Sequence, residues 1–142
     1  MIWGVISRKL ADMTTMDALH RAGRDHAQVI HADVPSVVRE LDEVLGSRLV
    51  AYIGGVKETR AVRQWSTGDR TPSAATQTRL RAALQTARLL QYREARPVIQ
   101  AWFQGMNPHL DDWSPARVLR DADIDAEGPH VMMAARAFAQ HG

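Results

Sequence analysis

The chain has 142 residues, no cysteine and a formal charge of only +2 at pH 7. That length allows one ordinary domain or two small ones with buried cores, and the absence of thiols excludes disulfides and thiolate metal sites. No apolar run reaches membrane length and the first residues hold no signal-peptide core, so a soluble cytoplasmic protein is expected.

The charge is divided unevenly along the chain. From Met1 to Val56 the net is −1, from Lys57 to Arg96 it is +6, and from Pro97 to Gly142 it is −3. A basic middle between acidic flanks suggests that one part meets a polyanion and another does not. The heavy use of Arg, sixteen against two Lys, can reflect codon bias, but codon bias does not explain the clustering.

Residues 1–35 read as a partly helical extension. Leu10, Met13, Met16 and Leu19 recur every three residues, as on one helix face. Met13 and Met16 also offer later translation starts. His20, His26 and His31 are spaced by six and five, which matches no common ligand pair on a helix, so no metal is expected.

Pro35 predicts a helix beginning just after it, over Ser36–Leu45, with Val37, Val38, Leu41, Val44 and Leu45 on its apolar face. Gly46 should end that helix and Ser47 cap the next one. In the stretch LVAYIGGVKETRAVRQWSTGDRTP, from Leu49 to Pro72, the spacing predicts a helix-turn-helix. Val50, Ala51 and Ile53 would face the core, and Ala51 and Gly55, four apart, would let the two helices approach. Gly54 and Gly55 would make the reversal, since glycine reaches positive φ without a Cβ clash. The second helix is expected over about Glu58 to Ser66, burying Val62 and Trp65. Thr59, Arg60, Arg63 and Gln64 then face outward. Arg and Gln pair bidentately with guanine and adenine edges, and a second helix is the element that enters a major groove. Lys57, Arg70 and Arg79 lie close enough to reach phosphates. A helical hairpin with a solvated basic face is the plainer alternative.

Pro72 and Ser73 should open a long helix to about Tyr92, with Leu80, Leu84, Ala87 and Leu90 buried and Arg88 and Arg93 on a solvated surface. Arg96-Pro97 marks the expected boundary between a DNA-binding domain, residues 36–95, and a C-terminal domain, residues 96–142. A helix from Pro97 would bury Val98, Ala101 and Trp102. Asn107-Pro108 turns the chain, Ser114 caps a short helix with Pro115 at its first position, and Val118 and Leu119 bury it. The acidic run DADIDAEG, Asp121 to Gly128, reads as a loop, without the glycine and closing glutamate of a calcium loop. Pro129 should open the last helix, with Val131, Met132, Ala135 and Phe138 in one stripe.

Two of these stretches carry a family resemblance. AYIGGVKETRAVRQW with Gly68 and Pro72 resembles the helix-turn-helix of the Xre/MbcA/ParS antitoxins, partners of RES-domain toxins. AWFQGMNPHLDDWSPARVLRDADI, followed by VMMAARAF and a terminal Gly142, resembles their toxin-binding C-terminal domain. Gly55 lies ten residues before Trp65, one more than the commonest helix-turn-helix spacing, which leaves the start of the recognition helix open. The resemblance covers roughly residues 36–142 and implies an all-α protein, a helix-turn-helix domain followed by a small helical toxin-binding domain. It implies an antitoxin of a type II toxin-antitoxin system that occludes an NAD-consuming toxin and binds operator DNA to repress its own operon. Operator contacts would fall on Thr59, Arg60, Arg63 and Gln64, and toxin contacts on Arg136, Gln140, His141 and Gly142. A homodimer or a toxin-antitoxin hetero-oligomer is expected, with no cofactor. The alternative is a stand-alone repressor whose C-terminal domain serves dimerisation. An enzyme has little support, because Ser114 beside Asp111 and Asp112 is better explained as a helix cap than as a nucleophile.

Overall fold

A computed structural model describes residues 27–141, together with His20, Arg21, Gly23 and Arg24. The Leu10–Leu19 stripe, His26 and Gly142 lie outside the described residues. Those described form an all-α protein without strands. The helices are α1 (Val34–Leu45), α2 (Ser47–Gly54), α3 (Thr59–Thr67), α4 (Ala74–Gln91), α5 (Arg96–Gln104), α6 (Pro115–Asp121) and α7 (Ile124–His141), with a 3₁₀ turn at Pro108–Leu110 between α5 and α6. Residues 27–31 are also helical and precede α1.

α4 is the spine of the fold. It packs against α1, α2, α5, α6 and α7, and its pairing with α7 is the most extensive in the molecule. Leu80, Leu84, Ala87 and Leu90 are buried as expected, joined by Thr76, Ala83 and Thr86. The core is continuous from Val29 to Ala135, so apolar packing crosses the helix break at Arg96-Pro97. Polar bonds cross it too: the Gln100 amide donates to the Val44 carbonyl at 3.0 Å, and Arg93 donates to the Ala139 carbonyl at 2.7 Å.

α2 and α3 cross at Gly54. A Cβ on Gly54 would lie 2.9 Å from the Trp65 ring, so the absent side chain is what lets the indole lie on α2. The close-approach residue is therefore Gly54 and not the expected Ala51–Gly55 pair. Gly55 supplies the turn, at φ 77°, and its N–H closes on α2 carbonyls. Trp65 is 2% exposed, and its indole N–H is buried without an acceptor among the described residues. The Thr76 hydroxyl donates to the Gly54 carbonyl at 3.2 Å, which ties α4 to the same point. Gly68, at φ 82°, ends α3.

Several local expectations are corrected. α1 starts at Val34 and not just after Pro35, because Asp33 caps it: the Asp33 side chain accepts from the Ser36 amide, and Pro35 sits in the first turn where its missing N–H costs nothing. Ser47 does not cap α2; it is the first helical residue, and its hydroxyl donates instead to Asp42. α5 buries Ile99, Trp102 and Phe103, leaving Val98 39% exposed and Ala101 in solvent. The helix begins one residue earlier than expected and presents its two rings edge to face, with centroids 5.2 Å apart.

The acidic run is mostly helix rather than loop. α7 starts at Ile124 because the Asp123 carbonyl accepts from Glu127 N–H at 2.8 Å and its side chain from Asp125 N–H at 3.1 Å. Asp125 and Glu127 then stand at the positive end of the helix dipole, where carboxylates are stabilising. Pro129 consequently lies inside α7. Arg88 and Arg93 are not simply solvated either. Arg88 grips the Glu40 carboxylate through two nitrogens at 2.6 and 2.8 Å and the Gln28 side chain at 2.7 Å. Ser114 and Pro115 begin α6 as expected, with Ser114 accepting from the Arg117 amide.

Two predictions follow from these contacts. Gly54→Ala forces Trp65 to move, and overpacking of this kind should lower unfolding stability by about 1–3 kcal/mol in urea titrations; an unchanged midpoint would show that the crossing tolerates a methyl group. Hydrogen bonds from the Ser36 hydroxyl and amide hold the Asp33 carboxyl below the usual carboxylate range. Since the folded value is the lower one, this cap is present above the unfolded carboxylate value and is lost as the pH falls through the folded value. Asp33→Asn should therefore weaken the acid dependence of unfolding in that window, and identical acid profiles would remove Asp33 from it.

Candidate nucleic-acid interface and C-terminal surface

α3 owes its short amphipathic form to three buried positions, Ala61, Val62 and Trp65. Two of them were expected; Ala61 was hidden in the sequence because alanine carries little apolar signal. The opposite side of the helix is the ridge predicted from the sequence. Thr59, Arg60 and Arg63 are exposed and Gln64 is half-buried. Arg63 and Gln64 are adjacent near the middle of the helix.

The ridge is flanked by cations. Lys57, in the turn before α3, and Arg70, just beyond its end, are both exposed. The backbone amide of Arg70 donates to the Gln64 carbonyl at 3.2 Å, which holds Arg70 against the end of the helix. Arg79 lies on α4 but returns to the same place: its guanidinium would be 3.8 Å from a Cβ at Gly55. Arg79 thus approaches the turn before α3, near Lys57, while Arg70 lies beyond the other end of the helix that carries Thr59, Arg60, Arg63 and Gln64. None of their cations forms an ion pair among the described residues. The nearby acid Asp69 is held by the Thr67 hydroxyl at 2.9 Å. The far side of the helix is clamped, with Arg39 of α1 donating to the Ser66 carbonyl at 2.7 Å. α3 is therefore fixed on one side and free on the other.

An open cleft of about 650 Å³ adjoins this ridge, walled by α2, the glycine turn, the start of α3 and α6. It contains Lys57 and Arg60 from the expected set, and also Arg48 and Arg120, which composition alone did not single out because they lie outside the basic middle of the chain.

Of the residues singled out for a protein partner, Arg136, Gln140 and His141 lie on α7, and Gly142 lies outside the described residues. Arg136 is exposed, on the wall of a groove between α4, α7 and the segment before α1 that also includes Tyr92, Ile124 and Met132. Gln140 and His141 are exposed at the end of the helix. The inner face of α7 buries Val131, Ala134 and Ala135, while Met132 and Phe138 are half-buried and Phe138 stacks near Trp102 with centroids 6.4 Å apart. Among the described residues, no group of three or more His, Asp or Glu could hold a metal ion, and no helix is long and apolar enough to cross a membrane.

No protein-family model and no curated protein matches the chain. Among solved structures, it is similar to a chain in the crystal structure of the M. tuberculosis MbcT-MbcA toxin-antitoxin complex, at 26% identity and a TM-score of 0.62. The likeness spans 78% of this chain and 97% of that one. Nearly the whole of the known chain is therefore reproduced, and the excess here is about the length of the N-terminal extension. In fold and in sequence, this all-helical protein is similar to the MbcA antitoxin.

Proposed function

We propose that the chain is the antitoxin of a type II toxin-antitoxin pair. It binds and occludes a RES-type, NAD-consuming toxin through α7 and the tail, and it binds operator DNA through α2 and α3 to repress its own operon. The observation that carries the antitoxin reading is the likeness to a chain of the MbcT-MbcA complex across 97% of that chain. The toxin performs the chemistry; the antitoxin contributes a surface.

For DNA, α2 and α3 act as the helix-turn-helix. α3 enters the major groove with Arg63 and Gln64 toward base edges, Thr59 and Arg60 ahead of them, and Lys57, Arg70 and Arg79 toward phosphates. The support is the unpaired cationic ridge on a helix whose other side is fixed in the core. For the toxin, the contacts are Arg136, Gln140, His141 and Gly142; the support is that Arg136, Gln140 and His141 are exposed on α7. The helix-turn-helix within residues 36–95 serves DNA, and residues 96–142 serve the toxin. A dimer on a two-fold operator follows the usual geometry of such motifs.

Arg63→Ala should weaken binding to the DNA upstream of the gene by about 1–3 kcal/mol, with a smaller loss on mixed-sequence DNA; equal losses on both would reassign Arg63 to a phosphate. Deleting residues 136–142 should abolish protection in a growth assay with the co-expressed neighbouring toxin while leaving DNA binding intact. Full protection by the truncated chain would refute occlusion by the tail, and absence of a RES-type neighbour would favour a stand-alone repressor.

A further inference from the structure

The cleft beside α3 is more basic than the helical pair requires. Arg48 of α2, Lys57 of the turn, Arg60 of α3 and Arg120 of α6 meet on its wall, with Glu58 as the one acid among the described residues that line it. Arg48 lies in the first turn of α2, exposed and without an ion-pair partner among the described residues. A cation at that end opposes the helix dipole, so local stability does not account for it. Arg120 is laid across the Tyr52 ring of α2, 4.5 Å from the centroid. Its approach to Asp121, at 3.5 Å, joins side chains that are 40% and 49% exposed, a geometry that solvent screens. The ring therefore orients the guanidinium while leaving its donors available.

We infer that Arg48 and Arg120 are contacts to the DNA backbone, so that a residue of the C-terminal part completes the DNA-binding surface. The occupant of the cleft is a phosphate strand bordering the groove that α3 enters. The first helix of a helix-turn-helix crosses the backbone while the second enters the groove, and Arg48 lies on that first helix. The cleft is continuous with the ridge, because it shares Lys57 and Arg60 with it. Four cations around one opening complement the charge of a phosphate strand. Arg120 reaches this strand only because α6 packs on α2, so the two parts of the chain hold one DNA site between them. The inference rests on the DNA-binding role proposed above.

The test uses full-length protein carrying Arg48→Gln or Arg120→Gln. Binding is followed by fluorescence anisotropy on a mixed-sequence duplex and on the duplex upstream of the gene, over about 50 to 200 mM salt. Each substitution should lower the slope of log K against log salt by about 0.9 and weaken binding equally on the two duplexes. Arg120→Lys should keep the slope, since a phosphate contact needs charge and not a fork. Unchanged slopes in both Gln variants, with binding retained, overturn the inference and leave the DNA-binding role standing. Losses confined to the upstream duplex overturn it as well, by making these base contacts. Intact slopes with lost toxin protection assign the cleft to a protein partner. No binding by the unsubstituted protein overturns both readings. Arg48→Gln decides alone if Arg120→Gln does not fold.

Discussion

The contact on which the rest of this structure depends is the one between Gly54 and Trp65. At 2.9 Å from the position of a Cβ, the indole occupies space that any other residue would fill. That missing atom sets how α2 and α3 cross. It also sends Trp65 inward and thereby turns Arg60, Arg63 and Gln64 outward, since positions on a short helix cannot be re-aimed separately. Thr76 completes the arrangement by donating to the Gly54 carbonyl, so α4 is registered on the same residue. The buried indole N–H without an acceptor is a cost, typically about 1–3 kcal/mol, that burial of the large ring offsets.

From that registration the spine carries the geometry to the other end of the molecule. α4 touches α1 and α2 on one side and α6 and α7 on the other, and α7 follows it for most of its length. Gln100 and Arg93 close hydrogen bonds to main-chain carbonyls of Val44 and Ala139, the first part-buried and the second at the surface. The break at Arg96-Pro97 redirects the chain without dividing its core.

The arginines show a division of labour. Arg81 donates to the carbonyls of Val29 and Ala32 at 2.6 and 2.7 Å, Arg88 holds Glu40 and Gln28, and Arg39 clamps the end of α3. These hold helices together. The side chains of Lys57, Arg60, Arg63 and Arg70 form no ion pair among the described residues. Positive charge left unpaired in a group at the surface is electrostatic potential directed outward.

Local chemistry determined much of this protein before any tertiary contact. Apolar spacing placed α1, α3 and α4, the Ser114-Pro115 pair opened α6, and Gly46 and Gly68 ended their helices, since these depend on residues within a turn or two of each other. The outward ridge of α3 was legible for the same reason: it is the complement of Val62 and Trp65. Tertiary structure decided what depends on distant partners. That Gly54 rather than Gly55 makes the close approach is known only once Trp65 packs against it. The inner face of α5 is Ile99, Trp102 and Phe103 because α1 and α6 lie there, and several apolar stripes were available to that helix. The Asp121–Gly128 run is helical because Asp123 caps it and Ile124 packs on the core, which an acidic composition concealed. Arg120 joins Arg48 across one cleft only through the packing of α6 on α2, and no spacing along the chain encodes a meeting between residues so far apart.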